Sequence, residues 1–222
     1  MDKARWDTFA AACGIVGVVL FVLGLFILGK PPDLGDDART VANFYIVNRG
    51  PILWSLWFQG LGVLAFIWFI AALGAAMRGA GEERLAAAMG LTFAIIFAIG
   101  AVSAITRGAL GFRIAEEVDS GVTLALYHLT AYMDTVSSVI GAGLYAAVAG
   151  AAIRSRFLPQ WWGWLSGLAA LWAVISSTAW SRDGFWSADG AGLLGFIVFL
   201  VWAGVTSILL TMQTGRSATP AA

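Results

Sequence analysis

The sequence is short of charge. Only 12% of its 222 residues are charged, whereas a soluble domain carries about 25%. Thirteen Lys and Arg residues balance thirteen Asp and Glu residues, so the formal net charge is zero. A nucleic-acid-binding domain would need a basic excess, and a disordered chain would have few apolar residues. The composition therefore excludes a soluble globular fold, a disordered chain and a nucleic-acid partner.

Side chains that bind metals and haem are equally scarce. The chain has one cysteine, Cys13, and one histidine, His128. One cysteine cannot form an internal disulfide, and a zinc site needs at least three protein ligands. A retinal Schiff base is also excluded, because Lys3 and Lys30 both lie at the ends of predicted membrane segments. We predict no metal and no cofactor.

What the sequence does have is long apolar runs. Hydrophobic residues make up 60% of the chain, and the mean hydropathy is +0.84. A bilayer core of about 30 Å needs about 20 apolar residues per helix. Six stretches are long enough, at 8–28, 52–77, 85–106, 121–153, 161–180 and 191–213. We predict an all-α membrane protein in which residues 1–222 form one integral domain, a bundle of six transmembrane helices.

The basic residues predict the orientation of this bundle. The first apolar run is too long for a signal peptide, so we expect this helix to be retained. With the N-terminus in the cytoplasm, the inner Lys and Arg residues crowd two short hairpins, at 78–84 and 154–160. Cytoplasmic loops carry such an excess. We therefore predict a multi-pass protein of the plasma membrane with both termini in the cytoplasm.

The longest outer loop carries a further helical pattern between residues 36 and 48. Apolar residues recur there at helical spacing, and they are Ala38, Val41, Ala42 and Tyr45. Gly50 is expected to end this helix, and Pro51 to open the next one in its first turn. The segment is either a lid over an outer vestibule or a connector lying in the membrane interface.

Polar residues of the predicted spans form a layer near the outer surface. At a rise of 1.5 Å per residue, Asp134 lies about 29 Å above the inner end of its helix, and Gln59 about 27 Å. Arg107 and Arg182 lie about 33 and 31 Å up, and His128 about 37 Å. No charge is predicted at the midplane, where transporters and proton pumps place their sites.

Asp134 is the centre of the predicted site. It shares a helical stripe with Tyr127 and Ser138. One interpretation is an outward-facing pocket, with Asp134 as its carboxylate and Arg107 or Arg182 as the counter-ion. The other is an ion pair that only fixes two helices together, and breaking such a pair, if buried, costs about 3–5 kcal/mol.

Three of the eleven tryptophans are predicted at mid-depth, about 13–17 Å from the inner surface. They are Trp68, Trp172 and Trp202. If they converge, they form the wall of an apolar cavity for a lipid-like ligand, and if they diverge, they face lipid.

Small residues mark where the fourth predicted helix can pack closely against a neighbour, either within the chain or in a second copy. They are Gly141, Gly143, Ala147, Gly150 and Ala151.

Three functions fit these patterns. The first is a binder, carrier or accessory subunit for an amphipathic small molecule, with membrane lipids around it. The second is a membrane-embedded enzyme acting on a lipid or isoprenoid, with Asp134 as general acid or base and Tyr127 or His128 assisting. The third is a purely structural assembly subunit. The candidate binding residues are Asp134, Arg107, Arg182, Gln59, Ser138, Trp68, Trp172 and Trp202.

Four short motifs carry a family resemblance. Residues 32–35 (Pro-Asp-Leu-Gly), 44–45 (Phe-Tyr), 48–50 (Asn-Arg-Gly) and the tryptophan-rich stretch 158–165 resemble small bacterial membrane proteins classed under domains of unknown function. The resemblance implies six membrane helices and a bacterial inner-membrane location. It implies no catalytic residues.

Overall fold

The computed structural model describes residues 3–179, 181 and 184–217, and this part of the chain is helical, without strands. Its α-helices are α1 Lys3–Leu28, α2 Ala38–Val47, α3 Arg49–Gly79, α4 Glu83–Ala109, α5 Ala115–Glu117, α6 Ser120–Ser155, α7 Gln160–Ser176 and α8 Leu193–Ser217. Two π-helical turns, Leu110–Ile114 and Ala188–Gly192, follow α4 and precede α8.

Five helical segments of the described chain are long and apolar enough to cross a membrane. They are Arg5–Leu28, Arg49–Gly79, Glu83–Glu117, Ser120–Ser155 and Gly190–Gln213. These segments confirm the prediction of an all-helical chain with several candidate membrane spans, and each contains the whole of one predicted span.

The remaining predicted span, 161–180, corresponds to α7, which has 17 residues and ends at Ser176. The predicted end was wrong because the amides of Thr178 and Ala179 donate to carbonyls only three residues earlier, a tighter turn that ends the α-helical pattern. Ser177 Oγ donates to the Val174 carbonyl and Thr178 Oγ1 to the Ile175 carbonyl. Trp180, the predicted last residue, lies outside the described residues.

The predicted helix at 36–48 forms as α2, with a different end. Asp37 caps its N-terminus and accepts hydrogen bonds from the amides of Arg39 and Thr40 at 2.8 and 2.9 Å. Asn48, not Gly50, ends the helix, so the prediction for Gly50 was wrong. The Asn48 amide bonds the carbonyl of Phe44, and α3 starts at the next residue, which places Gly50 and Pro51 together in its first turn.

The long helices surround one apolar core in the order α8, α1, α3, α4, α6, α7. Every one of these six contributes to a core at the end of the bundle that holds the Ala80–Glu82 and Arg156–Pro159 turns, here called the hairpin end. A second, smaller cluster lies at the opposite end, the α2 end. There, Val41 and Tyr45 of α2 pack against Ile52, Leu110 and Tyr127.

Small residues bring neighbouring helices into close contact. A Cβ on Gly62 of α3 would lie 2.7 Å from the Phe21 ring of α1, and one on Gly143 of α6 would lie 3.0 Å from Thr92 of α4. Ala147 and Ala151 of α6 are buried. The small-residue face of α6 is therefore occupied within the chain.

Candidate functional site

Arg107 of α4 and Asp134 of α6 form an ion pair toward the α2 end of the bundle. Arg107 Nη2 donates to Asp134 Oδ2 at 2.8 Å and also to Ser103 Oγ, one turn earlier on α4, at 2.9 Å. The predicted pairing of Asp134 with a nearby arginine is confirmed. The two side chains are 31% and 46% exposed, respectively. The pair is thus half-exposed, and the full desolvation cost of a buried pair does not apply.

The Arg107 guanidinium has hydrogen-bonding capacity to spare. Its Nε–H is buried and has no partner within the described part of the chain. Ser138, one turn from Asp134 on α6, is half-buried, and its hydroxyl is without a hydrogen bond to any described residue. A buried donor without an acceptor is costly. The site therefore has two donors, the Arg107 Nε–H and the Ser138 hydroxyl, that no described residue engages.

Tyr45 of α2 lies next to the ion pair on the α2 side. Its ring is 3% exposed and makes an edge contact with Tyr127 of α6, with a centroid distance of 6.3 Å. Burial raises the pKa of Tyr45 to about 12, while Arg107 and Asp134 are near enough to shift this pKa in opposite directions. Tyr45 therefore stays a neutral phenol beside the two charges at physiological pH.

Tyr127 and His128 face the loop between α1 and α2. The Tyr127 hydroxyl donates to the Pro32 carbonyl, and His128 Nε2 lies 3.1 Å from the Leu34 carbonyl. Because a carbonyl only accepts, His128 Nε2 carries the proton in this bond. The two residues that were candidates to assist Asp134 in catalysis thus attach this loop to α6.

Gln59 is held within the contact between α1 and α3. Its Nε2 donates to Ser55 Oγ of the same helix at 3.0 Å, and its side chain packs against Gly24 of α1. Gln59 therefore has a packing role that the depth estimate alone did not indicate.

The mid-depth tryptophans make contacts in different parts of the bundle. Trp68 is 46% exposed and contacts Trp6 of α1, with a centroid distance of 5.2 Å. Trp202 is buried and donates to Ser166 Oγ at 2.9 Å. Trp172 is half-buried, and its Nε1 has no partner among the described residues.

Of the remaining predicted site residues, Arg182 lies outside the described residues. Two residues of the site were not predicted. Ser103 could have been found from its spacing, since it lies four residues before Arg107 and so on the same face of the helix. Tyr45 could not, because its position depends on how α2 folds back over the bundle.

Known proteins add no further information about the site. No protein-family model, curated protein or solved structure matches the chain.

Proposed function

We propose that the chain is a six-helix membrane protein with both termini in the cytoplasm and α2 at the outer surface. Five helices meet the length and composition of a membrane span, and α7 packs against α6 and α8 with an apolar sequence of 17 residues. At 1.5 Å per residue α7 is about 26 Å long, close to the thickness of the hydrocarbon core. The four motifs that resemble those of small bacterial membrane proteins support a bacterial inner membrane.

Within this protein, we propose an outward-facing binding site for an amphipathic small molecule. The observation that carries the proposal is the half-exposed Arg107–Asp134 pair, in which the Arg107 Nε–H is buried and has no partner among the residues that the structure describes. A guanidinium N–H forms its strongest hydrogen bonds with charged oxygen acceptors. The polar end of the ligand is therefore expected to carry such an oxygen, as a carboxylate or a phosphate does.

The surroundings of the pair favour a ligand that also has an apolar part. Tyr45, Leu110 and Tyr127 form an apolar cluster on the α2 side of the site, and the larger apolar core lies at the hairpin end. A ligand that enters from the outer leaflet would meet both the Arg107–Asp134 pair and this apolar cluster. The site thus fits a binder, carrier or accessory subunit better than a proton-transferring enzyme, since Tyr127 and His128 are engaged with the α1–α2 loop.

Co-purification tests this proposal. The wild-type protein and Arg107→Gln would be extracted gently with native lipid, and the bound small molecules analysed by mass spectrometry. Arg113→Gln is the matched control, because Arg113 forms an exposed ion pair with Glu117 near the same end of α4. We expect at least one amphipathic molecule to be lost from Arg107→Gln and kept by Arg113→Gln. Identical profiles for all three proteins would refute the site.

A further inference from the structure

One long face of α4 has no neighbour within the described chain. In the most apolar part of this helix, 11% of the residues are buried, against 28–44% in the other four candidate spans. The face turned away from the bundle carries Ala87, Leu91, Ala94, Ala98, Val102 and Ile105. An alanine side chain offers lipid little contact surface, but it lets a neighbouring helix approach closely. Small residues on a membrane helix are therefore typical of helix–helix interfaces.

The other sides of α4 are occupied. Thr92 and Ile96 face α6, where they meet Gly143 and Gly141, and Gly108 faces Leu56 of α3. Since α3 and α6 lie on the other sides of α4, an additional helix can approach this six-residue face, here called the alanine face, without displacing part of the chain.

The charges at the inner end of this face are self-complementary. Glu83 and Arg84 are exposed, and neither forms an ion pair with any described residue. At 100° per residue they lie on opposite flanks of the alanine face. If two parallel copies meet through this face about a two-fold axis, Glu83 of each copy lies opposite Arg84 of the other, on both sides of the axis.

A shallow apolar groove lies beside the same face. It has a volume of about 490 Å³ and runs between Ala98 and Val102 of α4 and Leu129, Tyr132 and Val136 of α6. In the two-fold arrangement, a second α4 would bring the opposite flank of its alanine face, which carries Phe97 and Ala101, toward this groove. The groove therefore gives the Phe97 ring of a second copy, which is exposed in this chain, a place to pack.

We propose that α4 is the interface through which two copies of this chain associate side by side in the membrane. The two copies have the same orientation and are related by a two-fold axis along the membrane normal. Ala87, Ala94 and Ala98 lie next to the axis, and two Glu83–Arg84 pairs form at its inner end. This dimer does not depend on the Arg107–Asp134 ligand site, which faces the opposite side of α4.

Cysteine cross-linking in native membranes tests the interface. The only native thiol, Cys13, is buried and can stay in place. Ala94→Cys would be oxidised with copper phenanthroline, beside the control Val19→Cys, which is exposed on α1. We expect a disulfide-linked dimer for Ala94→Cys and little for Val19→Cys. Equal cross-linking at both positions, or none at Ala94→Cys, would overturn the proposal.

A charge exchange tests the two-fold arrangement. Glu83→Arg places an arginine opposite Arg84 of the second copy at both pairs, and the double variant Glu83→Arg/Arg84→Glu restores opposite charges. Single-molecule photobleaching in liposomes would give the dimer fraction. We expect the single variant to weaken dimerisation roughly three- to tenfold and the double variant to recover it. Equal dimer fractions for the wild type and both variants would exclude this arrangement.

Discussion

Arg107 uses a single nitrogen for two contacts, because Nη2 bonds both Ser103 Oγ and Asp134 Oδ2. The contact to Ser103 orients the guanidinium along its own helix, and the contact to Asp134 joins α4 to α6. Since both charged groups are half-exposed, water shares in solvating them, and their attraction is correspondingly weak.

A double-mutant cycle measures this attraction. The variants are Asp134→Asn, Arg107→Gln and the combination of the two, and the measurement is the free energy of unfolding in detergent. We expect a coupling energy below about 1 kcal/mol, as for partly exposed ion pairs. A coupling of about 3–5 kcal/mol would instead identify a desolvated pair whose role is structural.

The cap of α2 is a second feature at this scale. The amides of Thr40 and Arg39 bond the Asp37 carboxylate and hold its pKa below the usual value. A carboxyl group with a lowered pKa stabilises the fold above its unfolded-state pKa, and this contribution is lost as the pH falls through the folded-state value.

The amide chemical shifts of Arg39 and Thr40 report on this cap. In the wild type we expect them to stay constant from neutral pH downward and to change only below the usual range of aspartic acids. Asp37→Ala should make the amides of α2 exchange faster with solvent, whereas Asp37→Asn should keep exchange slow, because asparagine is also a good cap. Fast exchange in Asp37→Asn would show that the charge matters more than the hydrogen bonds.

At the scale of elements, the loop between α1 and α2 is attached to α6 by Tyr127 and His128. Tyr127→Phe removes one of these bonds and leaves the ring in place. We expect faster hydrogen exchange in residues 29–37 and a loss of about 0.5–1.5 kcal/mol, typical of one hydrogen bond. Tyr132→Phe on the exposed face of α6 is the control and should change neither quantity. An unchanged loop in Tyr127→Phe would show that His128 alone holds it.

The contact between α1 and α3 depends on a glycine. A Cβ on Gly62 would lie 2.7 Å from the Phe21 ring and 3.2 Å from the Gly17 carbonyl oxygen, whereas one on Gly60 would meet open space. Gly62→Ala should therefore lower the stability by about 1–3 kcal/mol, as overpacking does. Gly60→Ala, on the same helix, should not lower the stability in this way. Thermal unfolding in one detergent gives both values, and equal stabilities would mean that α1 shifts to make room.

Most of the elements followed from the sequence, because an apolar run of about 20 residues leaves few alternatives. The ends were harder to predict, since they depend on single hydrogen bonds. Thr178 and Ala179 continue the predicted span in the sequence, yet their amides bond carbonyls only three residues earlier, and α7 ends there. Likewise, glycine is a typical helix-ending residue, which favoured Gly50. The end of α2 is instead formed by the hydrogen bond from the Asn48 amide to the Phe44 carbonyl.

The site was predictable to the extent that depth along a helix can be counted. Counting placed Asp134 and Arg107 at one level, and they are in contact. The rotation of each helix about its axis cannot be counted in this way. Trp68 and Trp202 have similar predicted depths, but Trp68 is 46% exposed, whereas Trp202 is buried and donates a hydrogen bond to Ser166.

At the scale of the whole molecule, the number of spans determines the side on which α8 ends. With six spans, an export-dependent reporter should be inactive after Arg78, Gln160 and Gln213, and active after Arg49 and Gly184. If α7 does not cross the membrane, the results at Gly184 and Gln213 both reverse. These two fusion points therefore decide between five and six spans.

The length of α7 also bears on the lipid around it. Its 17 residues extend about 26 Å, about 4 Å less than an average hydrocarbon core. A bilayer adapts to a short helix by thinning locally, at a cost of a fraction of a kcal/mol per Å. In the proposed six-span protein, the outer leaflet would thus form a shallow depression around α7, and the protein would be sorted toward thinner membranes.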